Sequence, residues 1–109
     1  MFFGRMDRYI DIQKPLRVAN EFNEDEETWV SHARVWAEAV PLRATERFES
    51  SAVRQVKEYT FRLRYRKGVT PDMRIQYENE FFRIKGIAEV GRRHSLEISA
   101  EYMEATNGY

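Results

Sequence analysis

The chain is 109 residues long, with eighteen Lys or Arg against eighteen Asp or Glu, two His and no Cys. That length makes a single domain, residues 1–109, burying roughly 60–65% of its unfolded surface, so seven Phe, six Tyr and two Trp must fill a thin core. Zero net charge excludes a global field that would draw the molecule onto DNA or an anionic membrane, and zero Cys excludes disulfides and thiolate metal sites, in keeping with assembly in a reducing cytoplasm.

The N-terminal run MFFGRMDRYIDIQKP is apolar only briefly before charge intervenes, so neither a signal peptide nor a spanning segment is expected and the protein should be soluble when made. Ile10 and Ile12 alternate with Asp11 and Gln13, a strand that Pro15 should end because it brings no N–H to a ladder. Residues 16–28, LRVANEFNEDEET, crowd acid together with no regular period and are expected as a long exposed acidic loop. ARVWAEAV is apolar on both faces apart from Arg34 and Glu38, the pattern of a central strand or of one covered by a neighbouring subunit.

Residues 43–57, RATERFESSAVRQVK, place Phe48, Ala52 and Val56 at i, i+4 and i+8. With Thr45 as a cap and Glu46 and Glu49 near the positive end of the dipole, this spacing predicts a short helical insert. TFRLRYR then sets Phe61, Leu63 and Tyr65 against Arg62, Arg64 and Arg66, a half-buried strand. MRIQY puts Met73, Ile75 and Tyr77 inward, FRIK does so with Phe82 and Ile84, and the pair reads as a hairpin across Glu78 to Phe81. Ile87 falls out of phase, which predicts a bulge at Gly86. LEISAEY alternates Leu96, Ile98, Ala100 and Tyr102 against Glu97, Ser99 and Glu101 as a last strand. The fold class is mainly β: a small, closed or partly open β-barrel of about five or six antiparallel strands with one short helical insert.

Reactive chemistry is scarce. His32 and His94 are the only histidines, too few for a convergent ligand set, and NEDEE lacks the alternating spacing and the glycine of a calcium loop. No phosphate cradle, Walker sequence or nucleophile elbow occurs, so no enzyme activity, metal or cofactor is expected. Arg62, Arg64 and Arg66, continued by Lys67, read either as a basic stripe for phosphate or as a solvent face pairing with Glu of an adjacent strand or subunit; zero net charge favours the second. Trp29 and Trp36 read as packing anchors before stacking platforms, although an aromatic pair near a loop also suits a protein interface.

Four segments in order, RYIDIQKP, ETWVSHARVWAEAVPL, FRLRYRKGVTPDMRIQYENEFFRIKGI and RRHSLEISAEYME, resemble the phage head-tail joining family, the head closure or stopper proteins of phage and gene-transfer-particle necks. The resemblance runs from about Arg5 to Glu104 and implies a structural protein. It would form a homo-oligomeric ring, six- or twelve-fold, below the portal and its adaptor and above the tail terminator or tail proteins. Double-stranded DNA would pass transiently through its channel, with no membrane involved. It would be made in the host cytoplasm and reside in the neck of a virion or phage-like particle.

Carried over by position, the insert would face or close the channel, presenting Arg43, Glu46, Arg47, Glu49, Arg54 and Lys57. Glu24, Asp25, Glu26, Glu27, Trp29, Arg62, Arg64 and Arg66 are the partner-interface candidates. Gly68 and Pro71 would shape the turn that aims MRIQY. The hairpin YENEF and the loop before Trp29 depart from the family by lacking a glycine. The rivals are an OB-like module gripping single-stranded nucleic acid through the Arg row with Tyr59, Phe61 and Tyr65, and a tail-completion neck protein of the same fold.

Overall fold

The structure, a computed structural model, describes residues 6–42, 45–49 and 52–103. Eight strands follow one another: β1 (Arg8–Ala19), β2 (Asp25–Pro41), β3 (Thr45–Glu49), β4 (Ala52–Val56), β5 (Glu58–Arg64), β6 (Arg74–Tyr77), β7 (Glu80–Val90) and β8 (Ser95–Met103). Six of them pair antiparallel in the order β1-β2-β5-β8-β7-β6, and β6 returns to β1, so the sheet closes on itself as a barrel. Closure leaves the ring no open edge, which a sheet in so small a domain otherwise has to guard.

The period-2 alternation decides what fills the ring. Ile10, Ile12, Phe61, Leu63, Ile75, Phe82 and Ile98 are fully enclosed, with Ala37, Met73, Tyr77, Ile84, Leu96 and Ala100 completing the core. The centroids of Tyr59, Phe61, Tyr77 and Phe82 lie 5.3–6.3 Å from one another, mostly edge to face, the spacing at which ring quadrupoles attract. The barrel interior is therefore packed solid and is no channel.

Two irregularities bend the ring. Between Ile84 and Gly86 the register of β7 on β8 slips, leaving Lys85 as the extra residue, as the phase change at Ile87 predicts. A second slip at Ile12/Gln13 leaves His32 of β2 without an opposite residue, and the His32 ring packs beneath Gly68. Gly68 has φ +89°, and a Cβ there would come within 3.3 Å of that ring. The next turn follows the expected chemistry: Met73 N–H donates to the Thr70 carbonyl at 3.1 Å with Pro71 between them, and the Thr70 hydroxyl donates to Asp72.

Three expectations are corrected. Pro15 does not end the first strand, because β6 accompanies β1 only at Asp11, Ile12 and Gln13; beyond that point β1 has a neighbour on one side, where a missing N–H can face outward. Residues 16–28 are consequently not one long loop. β1 and β2 stay paired to Ala19 and Asp25 as a projecting two-stranded arm, and only residues 20–24 turn. The predicted helical insert is a strand pair, β3 with β4, in the register Thr45↔Val56, Arg47↔Arg54 and Glu49↔Ala52. Ala52 and Val56, four apart on β4, keep one phase as they would in a helix, whereas Phe48 lies on β3 opposite Val53, out of phase with them; β-branched Thr45, Val53 and Val56 favour the strand.

Candidate assembly surfaces

On the outer wall, cross-strand charges are paired. Arg62 of β5 reaches Glu97 of β8 at 2.9 Å and Glu38 of β2 at 3.6 Å; Arg83 meets Glu101 at 2.8 Å and Lys85 meets Glu58 at 2.7 Å. Such exposed pairs contribute about 0–1 kcal/mol each and chiefly fix strand neighbours. Arg62 is thus committed to carboxylates of its own chain. Arg64 also makes interactions within the chain, and Arg66 is exposed just past the end of β5. Phe61 is enclosed and Tyr59 and Tyr65 pack against the core, so the rings that a single-strand binder would need for base stacking lie on the face opposite the arginines.

The arm is fastened at its base. Arg74 donates from Nε to Gln13 Oε1 at 2.7 Å and lays its guanidinium between Trp29, 4.3 Å to the centroid, and Phe81, 4.0 Å. Desolvation by this packing lowers the Arg74 pKa, with Asp11 and Glu27 acting the other way. Trp29 is half-buried and serves as the packing anchor. At the tip, Asn20 Oδ1 accepts from the N–H of Phe22 at 2.8 Å and of Glu24 at 2.9 Å, which ties the turn, while Asn20 N–H donates to the Glu24 carbonyl at 2.8 Å. Glu24, Asp25, Glu26 and Glu27 are all exposed along the arm. Leu16 and Val18 continue the inward phase of Ile10 and Ile12 past the point where the barrel covers it, and Phe22 at the tip is 74% exposed.

The residue pattern does not reveal which way Trp36 faces, because its strand is apolar on both sides. Ala33 and Ala37 point inward, and Trp36 is 58% exposed beside Tyr9, 53% exposed, with ring centroids 4.9 Å apart. Trp36 is therefore no core anchor. The signal was in the register, since Tyr9 and Trp36 are direct partners on the outward face of β1 and β2.

Among the insert residues, Arg43 lies outside the described residues, Glu46, Arg47 and Glu49 sit on β3 and Arg54 on β4. Lys57 follows β4 and bonds Glu80 at 2.9 Å, and that hydrogen bond raises its pKa. Leu42 N–H donates to the Glu58 carbonyl at 2.9 Å, so the insert leaves and re-enters the barrel at one point. Among the described residues no three His, Cys, Asp or Glu side chains gather as a metal site.

Solved structures that share this fold include these two. One is a chain in the virion of a native gene transfer agent particle, 24% identical, TM-score 0.70, covering 91% of this chain and 96% of that one. The other is the solution structure of protein SF1141 from Shigella flexneri 2a, 23% identical, TM-score 0.69, covering 94% and 96%. No curated protein matches the chain. The model of the phage head completion proteins matches residues 1–102, and the chain belongs to that family, as a structural protein of a virion or phage-like particle and not an enzyme.

Proposed function

We propose that the protein forms a homo-oligomeric ring in the neck, between the portal with its adaptor and the tail, where it closes the DNA-filled head and offers the tail its attachment site. Family membership supports the neck role. The observation that carries the gate is the insert: β3 and β4 form a two-stranded sheet of their own, rooted at the Leu42–Glu58 hydrogen bond, outside a barrel whose interior is filled. A packed barrel gives DNA no path, so the channel belongs to the ring of copies and the insert is the element available to line or close it.

The insert segment carries Arg43, Glu46, Arg47, Glu49, Arg54 and Lys57, a mixture of both signs. Affinity for a polyanion climbs steeply with each phosphate neutralised, so an all-basic lining repeated around a ring would grip DNA and obstruct its exit. Mixed charge avoids this. The test is deletion of residues 46–52 with a short Gly-Ser bridge. Because the insert's ends already meet, the barrel should fold, and heads should package DNA but lose it before tails attach. Heads that retain DNA and mature normally would show that another element is the gate.

A further inference from the structure

The arm and the barrel wall carry complementary surfaces that one copy cannot bring together. Residues 14–30 hold five acidic residues, Glu21, Glu24, Asp25, Glu26 and Glu27, against Lys14 and Arg17, a net charge of −3; since the chain is neutral, the rest carries +3. The arm's apolar members, Leu16, Val18 and Phe22, are exposed. At the other end of the same hairpin the exposed apolar pair is Tyr9 with Trp36.

Arg34 stands two residues before Trp36 on the same outward face. Among the described residues the Arg34 side chain, 63% exposed, meets a carboxylate only at Asp11, 3.9 Å away; Arg8, opposite inward-pointing Ala37, belongs to the other side of the sheet, near Asp7 and Glu78 at 3.8 and 3.9 Å. The acids of this face are already engaged: Asp11 accepts from Ser31 at 2.6 Å and Gln13 at 2.9 Å, and Glu38 pairs with Arg62. Arg34 is thus held loosely and remains available to a carboxylate from outside.

We infer that the acidic, Phe22-tipped arm of one copy docks on the Tyr9–Trp36 wall, beside Arg34, of the next copy. This rests on the ring reading above. Nine residue steps along β2 separate Asp25 from Arg34, about 30 Å at the usual rise, so no copy can satisfy itself. A contact between two different patches is head-to-tail, the kind that repeats around a ring. Aromatic rings bordered by arginine are the residue types that dominate interface energetics. The five apolar side chains would bury on the order of several hundred Å², less than the roughly 1,000 Å² of a self-sufficient interface, so the contact forms when a portal surface gathers the copies and not in dilute solution.

The test uses charge reversal in the full chain, read as copies incorporated per particle. Reversing the arm (Glu24→Lys) or the wall (Arg34→Glu) should each lower incorporation at least fivefold, with thermal melts showing both variants folded. Combining the two reversals in one chain should restore incorporation to within about threefold of the parent. A combination no better than either single reversal overturns the inference.

Since the chain has no Cys, a second variant, Glu21→Cys with Arg34→Cys, reports the contact without reversing charge. A short thiol cross-linker applied to particles should give a ladder of multimers. If imaging shows a ring of this chain yet only monomers are trapped, the docking is wrong and the ring stands. If no ring of this chain is found in the neck, both readings fall.

Discussion

The Arg74 guanidinium lies 4.3 Å from the centroid of Trp29, joining the barrel's shortest ring strand to the root of its longest hairpin. Its other face covers Phe81 at 4.0 Å and its Nε bonds Gln13. Among the described residues the arm beyond Gln13 has no second neighbouring strand, so this clamp sets the direction in which the arm leaves the barrel.

Arg74→Met keeps much of the apolar stem while removing the cation and the hydrogen bond. A cation–π contact contributes about 0.5–2 kcal/mol and a hydrogen bond from a charged donor about 1.5–3 kcal/mol; these are not additive, and a loss of about 2 kcal/mol is expected in urea melts. Arg74→Lys should recover little, because an ammonium cannot lie flat between two rings. Full recovery by Lys would mean that charge alone matters there.

The β6–β7 hairpin turns through Glu78 and Asn79, with φ of 53° and 64°, both left-handed. This is the two-residue turn that Asn-Gly fits best, and the absence of glycine from YENEF leaves the chain to bear the strain. Left-handed backbone costs an ordinary residue about 1–2 kcal/mol. Replacing the pair by Asn-Gly should raise stability by about 1 kcal/mol, seen as a later unfolding midpoint with unchanged denaturant slope. Lower stability would show that Glu78, through its 3.9 Å pairing with Arg8, contributes more than the strain costs.

The ring strands were readable from residues because each has one enclosed face. Phe61 and Leu63, Ile75 and Tyr77, Phe82 and Ile84, and Leu96 and Ile98 all keep the phase that alternation assigns them, and Gly86 marks the bulge. Where no face is enclosed, alternation has nothing to report. The arm is held by backbone pairing that tolerates Glu26 opposite Val18 and Pro15 opposite Trp29, so acid and proline there resemble a loop. The outward turn of Trp36 and the clamp at Arg74 depend on contacts between residues distant in sequence, which one-dimensional spacing does not contain.

Burial pushes the Tyr77 phenol above its ordinary value of about 10, and the hydrogen bond to Glu80 holds the Lys57 ammonium above its own of about 10.4. Both folded groups therefore keep protons that the unfolded chain releases first. Stability should be level below about pH 9 and fall as the pH rises through the unfolded phenol's range toward the higher folded value. Tyr77→Phe should flatten this alkaline fall in melts between pH 8 and 11, and Lys57→Met should flatten its upper part. An unchanged profile in Tyr77→Phe would place the alkaline sensitivity elsewhere.

Replacing Glu24, Asp25, Glu26 and Glu27 with Ser separates the arm's role in folding from its role in assembly. The tip is tied by bonds that this change leaves in place: Asn20 Oδ1 to the Phe22 and Glu24 amides, and Asn20 N–H to the Glu24 carbonyl. The carboxylates add long exposed contacts from Asn20 Nδ2, 3.4 Å to Glu24 and 3.3 Å to Glu26, and a through-space attraction of Glu27 for Arg74, each worth little in water. Four adjacent like charges also repel one another, so their removal should move stability by no more than about 0.5 kcal/mol. Assembly should respond differently, because the arm's attraction to a basic surface disappears: particles should contain several-fold fewer copies at low salt, while the parent chain approaches the same deficit as rising salt screens its charges. A large fall in melting temperature would mean that these carboxylates hold the arm itself together.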